Sequence, residues 1–164
     1  MRRFLAGLAL VLVHAAPAVA QETAIQFGGL AQDTSLPVEV ASDALDVNQG
    51  DGTAVFTGNV LVTQGEMKLS SQRLRVIYGD GSDGAGRISE LQASGGVTLV
   101  NGAEAAESRE AVYNIDAGEV VMTGDVILTQ GQNALSSNRL VIDLNNGTGT
   151  MDGRVRTVFQ PGAD

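Results

Sequence analysis

Residues 55–65 read VFTGNVLVTQG and residues 121–131 read VMTGDVILTQG, a near-repetition 66 positions apart. Its Gly-x-Val triplet occurs four times, at Gly58-Asn59-Val60, Gly95-Gly96-Val97, Gly124-Asp125-Val126 and Gly153-Arg154-Val155, spaced by 37, 29 and 29 residues. A second marker is a serine opening a polar-to-apolar run: Ser42 (SDALDV), Ser71 (SQRLRV), Ser108 (SREAVY) and Ser137 (SNRLVI), spaced by 29, 37 and 29. One eight-residue insertion explains both longer intervals, and Gly79–Gly86 (GDGSDGAG) is its natural place. The chain is therefore built from units of 29 residues, a period that marks a repeat architecture.

Inside each unit the period is two. Gln72-Arg73-Leu74-Arg75-Val76 and Ser42-Asp43-Ala44-Leu45-Asp46-Val47 alternate apolar with charged residues, the pattern of a half-buried antiparallel strand. Gln64-Gly65, Asn101-Gly102, Gln130-Gly131 and Asn146-Gly147 suit tight hairpins. The triplet glycine and the marker serine fall between strands rather than at reversals, and they read as corners where an arm bends from one sheet into the facing one. Four units predict about sixteen short strands between Pro37 and Phe159, arranged as two facing antiparallel sheets of one folded ribbon.

Counting in twos from the markers assigns the faces. The inner face takes Phe56, Val60, Val62, Val97, Leu99, Met122, Val126, Leu128, Met151, Val155 and Phe159 from the glycines. From the serines it takes Leu45, Val47, Leu74, Val76, Ala111, Tyr113, Leu140, Ile142 and Leu144. Asp43, Arg73, Arg75, Glu110, Arg139 and Asp143 fall on the outer face.

The N-terminus is a targeting segment. Arg2 and Arg3 precede an apolar run from Phe4 to Val13, and Ala18-Val19-Ala20 is a small-x-small cleavage site. Ten apolar residues are too few to span a bilayer, so residues 1–20 read as a signal peptide cleaved after Ala20. Residues 21–36, with no marker and little period, read as a flexible leader. The domain then spans residues 37–160, with 161–164 as a tail. Without Arg2 and Arg3, 8 basic and 19 acidic residues leave a net charge of −11. That balance disfavours binding to nucleic acid and to an anionic membrane surface.

There is no cysteine, and the only histidine, His14, leaves with the signal. Thiol and imidazole chemistry are thereby excluded. No metal set or cofactor motif is present. Asp80-Gly81-Ser82-Asp83-Gly84 lacks the spacing of a calcium loop, and the carboxylate pairs Glu104/Glu107 and Asp43/Asp46 read as solvated strand faces rather than a hydrolase pair.

The stretch from Leu36 to Val76, with its Pro37 start, Ser42-Asp43 and the run from Phe56 to Gly65, resembles the OstA-like (LptA) family of periplasmic lipopolysaccharide-transport bridge proteins, and Val120 to Leu144 is similar to that family's later strands. The resemblance implies an all-β, semi-open β-jelly roll, a V-shaped folded ribbon of about sixteen consecutive antiparallel strands, located in the periplasm and without catalysis. It implies a groove for the acyl chains of lipopolysaccharide (its lipid A part), end-to-end assembly with copies of itself, and contact with an inner-membrane transport complex and an outer-membrane translocon. The groove residues it designates here are Leu45, Val47, Phe56, Val60, Val62, Leu74, Val76, Val97, Leu99, Tyr113, Met122, Val126, Leu128, Leu140, Ile142, Leu144 and Val155. The self-association edges are Pro37, Val38, Glu39 and Val40 at one end and Val155, Arg156, Thr157 and Val158 at the other.

Two alternatives stay open on the residues alone. An aliphatic period-two face also builds the closed core of a structural or adhesive β-repeat protein. The related periplasmic domain of a partner in the same pathway shares the motifs.

Overall fold

Three of the hairpins begin with a glycine whose positive φ reverses the chain in two residues. Gly65, Gly102 and Gly131 have φ of 57°, 58° and 58°, and Gln64↔Met67, Asn101↔Glu104 and Gln130↔Asn133 close the three turns. In the computed structural model the described residues are 24–26, 30–79 and 86–158. Residues 1–20, expected to be a signal peptide, together with Phe159 and the insertion's core at residues 80–85, lie outside them. Among the described residues the elements are β1 (Ala24–Gln26), β2 (Glu39–Ala41), β3 (Ala44–Asn48), β4 (Thr53–Gln64), β5 (Met67–Tyr78), β6 (Ile88–Asn101), β7 (Glu104–Asn114), β8 (Glu119–Gln130), β9 (Asn133–Asp143), β10 (Thr148–Asp152) and β11 (Arg156–Val158).

These form one antiparallel sheet rather than two. β2 and β3 both pair with β4, from β4 each strand pairs with the next in sequence through to β10, and β1 returns to pair with β10. The strands number eleven rather than sixteen because hydrogen bonding continues around the corners. Each of β4 to β9 is a single arm with a register shift in its middle, whereas β2/β3 and β10/β11 are arms that the corner does interrupt. Splitting every arm at its corner recovers the sixteen expected segments, with β1 added.

The corners explain both repeat markers. Gly58-Asn59 together face the single residue Gln72, Gly95-Gly96 face Arg109, and Gly124-Asp125 face Asn138. Two residues opposite one is a β-bulge, which bends the strand and sharpens its twist. Both bulge residues take positive φ: 80° and 46° at Gly58-Asn59, 83° and 86° at Gly95-Gly96, 84° and 50° at Gly124-Asp125, 77° and 58° at Gly153-Arg154. The glycine is also pressed by the arm before it. A Cβ on Gly58, Gly95, Gly124 or Gly153 would lie 2.6–2.9 Å from the side chain of Asp43, Gln72, Arg109 or Asn138. The marker serine immediately precedes that pressing residue. Ser42, Ser71, Ser108 and Ser137 each donate their hydroxyl to the carbonyl two residues on, at 2.8, 3.1, 2.8 and 2.8 Å.

The row of corners folds the sheet into two halves. Half I holds β3, β10, the first parts of β4, β6 and β8, and the second parts of β5, β7 and β9. Half II holds β2, β11 and the remaining parts. The apolar faces of the halves meet in one continuous core.

Residues 30–36, expected to belong to a flexible leader, are instead held against the domain. Leu30 is buried in the core. The Gln32 amide donates to the Leu144 carbonyl at 2.9 Å. Gln64 Nε2 donates to the carbonyls of Thr34 and Leu36 at 3.0 and 2.9 Å. Burial of one leucine and these bonds outweigh the absence of any strand pattern.

Candidate functional site

The apolar interior is the candidate site. Val60, Val62, Leu74, Val76, Val97, Leu99, Tyr113, Met122, Val126, Leu128, Leu140, Ile142 and Leu144, all expected on the inner face, are buried together in it. Phe56 is half-buried and packs against them. Met67, Leu69, Leu91, Val120 and Leu135 share the interior without having been singled out. Their period-two signal is present, but they lie on the far side of a corner or hairpin from the markers used for counting. Arg73, Arg75, Glu110 and Arg139 point outward and are exposed.

Along its middle the interior is filled by these side chains rather than forming a vacant slot. At the ends it opens. Leu45 and Val47 pair with Phe56 and Ala54 and so share the inner face of half I, yet they are 52% and 63% exposed. At the opposite end Val155, just past the last corner of half II, is 47% exposed, and all of β11 is exposed. Half I therefore overhangs at the N-terminal end and half II at the C-terminal end.

The edges are unequal. On half II they are β2 at one end and β11 at the other, containing Glu39 and Val40, and Arg156, Thr157 and Val158. Pro37 and Val38 precede β2. On half I the first edge is β3, which the sequence did not single out as an edge, and β10 is covered by β1.

Where the hairpin tips of half II border the interior, three of the inward residues are polar. Gln64, Asn101 and Glu104 are buried there. Gln130 Nε2 donates to Glu104 Oε1 at 2.9 Å, while Glu104 Oε2 and Asn101 Nδ2 have no hydrogen-bond partner. Glu104 is thus not the solvated residue its pairing with Glu107 suggested. It sits at a period-two inward position beside the turn.

Among the described residues one side-chain bond crosses from half to half: the Tyr113 hydroxyl donates to Gln64 Oε1 at 2.8 Å. Burial pushes the Tyr113 hydroxyl up to about 12, against the smaller opposing effect of the Gln64 bond. Between the tips of the two halves, a cleft of about 590 Å³ is lined by Leu36, Val38 and Gln64 on one side and by Ile88, Ile115 and the Arg87–Asp116 ion pair on the other.

The ion pairs lie outside the interior. Arg87–Asp116 at 2.7 Å, Arg109–Asp125 at 2.9 Å and Arg139–Asp152 at 3.2 Å are exposed and contribute little to stability. The interior offers surface for hydrocarbon, a polar border at the tips of half II and, among the described residues, no charged group in its depth.

An unclosed antiparallel ribbon, bent by a row of bulges over one aliphatic interior that opens at both ends, defines a semi-open β-jelly roll. Residues 39–148 match the family model described as "LptA/(LptD N-terminal domain) LPS transport protein", and the chain belongs to this family of lipopolysaccharide-transport proteins. An uncharacterised protein of Rhizobium meliloti (strain 1021) is 32% identical over 164 residues, covering 95% of this chain and 88% of that protein. The crystal structure of LptH from Pseudomonas aeruginosa, described as the LptA homologous periplasmic component of the conserved lipopolysaccharide transport device, has the same fold. It aligns with a TM-score of 0.70 at 19% identity and covers 79% of this chain and 99% of that one.

Proposed function

We propose that this protein is a periplasmic carrier, released by cleavage after Ala20, that shields the acyl chains of lipopolysaccharide between the two halves of its ribbon. Copies join end to end to bridge an inner-membrane transport complex and an outer-membrane translocon. The observation that supports this best is the inward-facing but uncovered pair Leu45 and Val47. They extend the apolar inner face to the end of the molecule, where a sealed core would stop short.

The energetics fit such a role. Each buried methylene is worth about 0.8 kcal/mol, so one chain of a dozen carbons gains on the order of 10 kcal/mol. Acyl chains entering the interior exchange aliphatic contacts for aliphatic contacts, so parting the walls costs little apolar burial once the tails are in place. The backbone ladders run within each half and around the corners, and the Tyr113–Gln64 bond is the side-chain link across the interior among the described residues. The halves can therefore part about the corners without breaking a ladder. The polar row at the tips of half II suits the oxygen- and nitrogen-bearing part of an amphiphile, with its tails directed toward the corners.

End-to-end joining follows from the overhangs. β3 and β2 at one end, and β11 at the other, offer unpaired strand edges for augmentation. Joining edge to edge lays one interior against the next.

The second reading is a closed-core structural or adhesive β-repeat protein, favoured by the complete burial of the middle of the interior. Phe56→p-benzoylphenylalanine separates the two. Irradiation with lipopolysaccharide micelles is expected to label this site, and labelling at an outward control, Arg75→p-benzoylphenylalanine, is expected to be absent. Equal silence at both sites leaves the closed-core reading.

A further inference from the structure

We infer that residues 30–36 are a displaceable occupant of the interior's mouth, and that a hydrocarbon chain enters where Leu30 now sits. This rests on the carrier reading above and adds its point of entry and the device that controls it.

The segment crosses between the two halves at their hairpin tips, the side opposite the corners. Its first part is tied to half I by the bond from the Gln32 amide to Leu144, in the β9–β10 turn. Its last part is tied to half II through the hairpin after β4. Gln32 Nε2 donates to the Gln64 carbonyl at 2.6 Å, and Gln64 Nε2 donates to the Thr34 and Leu36 carbonyls. Gln64 thus grips the strap with its amide nitrogen and Tyr113 of half I with its amide oxygen, so one side chain closes both connections.

Leu30 is 2% exposed and belongs to the same contiguous core as the wall residues. Its neighbours on the strap are of another kind: Ala31, Asp33, Ser35 and Leu36 are exposed. A buried leucine followed by a strap of mostly exposed residues is a plug, not part of a packed element. The turn that follows is local and self-sufficient, with Asp33 accepting from the Ser35 amide at 3.0 Å, so it can move as a unit.

The exchange is chemically even. Leu30 is a branched hydrocarbon in an aliphatic interior, and an acyl chain offers the same surface in greater length. Gln32 and Gln64 recover hydrogen bonds from water when the strap lifts. A ligand that binds only the lifted state shifts the equilibrium by its own differential affinity. Beside the strap, the cleft lined by Leu36, Val38, Ile88 and Ile115 gives the incoming chain an apolar first contact.

The test uses the mature chain, which has no cysteine of its own. Gln32→Cys with Gly65→Cys places two thiols where the Gln32 side chain already approaches Gly65, and a short bifunctional thiosulfonate bridges them. With the Phe56 photo-probe, the bridged protein is expected to lose at least ten-fold in labelling by lipopolysaccharide micelles, and reduction is expected to restore it. Leu30→Asp is expected to raise the initial labelling rate several-fold. Equal labelling of bridged and reduced protein, or an unchanged rate in Leu30→Asp, overturns the strap as entry point while leaving the carrier reading intact. No labelling of the unmodified strap protein overturns the carrier reading and the strap with it.

Discussion

Gln64 and Tyr113 meet through a 2.8 Å hydrogen bond although they stand on strands of different rank: Gln64 on the second strand of half II counted from the N-terminal edge, Tyr113 on the fifth of half I. The two halves are offset, so an arm does not lie over its own continuation. The offset leaves Leu45 and Val47 without a facing wall at one end and Val155 without one at the other.

Tyr113→Phe is expected to destabilise the protein by about 1–3 kcal/mol, because it leaves Gln64 Oε1 buried without its donor. Urea denaturation of the two proteins checks this. A loss below a few tenths of a kcal/mol would show that Gln64 finds another partner.

The same tyrosine predicts an alkaline transition. Its hydroxyl is raised from 10.0 to about 12 in the folded protein, so the folded state keeps a proton that the unfolded chain has already lost. The stability this confers is complete below pH 10 and is lost as pH rises from about 10 to about 12. Tyr113→Phe is expected to flatten the stability profile in that window, measured by denaturation at a series of pH values.

The corner glycine Gly124 differs from the hairpin glycine Gly131 in what surrounds it. At Gly124, φ is +84° and an added Cβ would lie 2.9 Å from Arg109 Nε and 3.0 Å from Arg109 Cβ, whereas at Gly131 nothing lies within 4 Å. Gly131→Ala is expected to cost about 1 kcal/mol from its backbone alone, and Gly124→Ala about 1–3 kcal/mol. Adding Arg109→Ala to Gly124→Ala is expected to return part of the difference, and calorimetric melting of the three variants and the parent protein measures it.

At the N-terminal overhang, Leu45→Asp with Val47→Asp is expected to leave the melting temperature within a few degrees, since both residues are already exposed. It is expected to reduce concentration-dependent association, read by sedimentation velocity across a hundred-fold range of protein. Unchanged association would place the joint elsewhere.

Much of this architecture was legible because one-residue rules govern it. A Gly-x pair facing one residue makes a bulge, and a serine before the facing residue secures the bend, so both leave a mark every 29 residues. Period two then sorts Val60 from Leu61 and Leu74 from Arg73. What was not legible depends on distant segments. Leu30 belongs to no period-two run and is inside only because the strap crosses the mouth. Gln64 reads as a turn flank, and nothing local says that Tyr113, 49 positions later, will meet it. Glu104 reads as one of two surface carboxylates until the turn register turns it inward. Period assigns a residue to a face, but not to the residue that covers it, so the offset between halves and the filled middle lay beyond reach.

The offset also bears on how long an assembly grows. In the end-to-end arrangement proposed above, ends stepped in opposite senses would fit as a lap joint, and the surface consumed at one joint would be recreated intact at the far end of the added copy. Such a joint repeats by translation and twist and does not close on itself. Nothing in the subunit then counts its neighbours. The length of such a row would be set by what caps its two ends and by the distance between them.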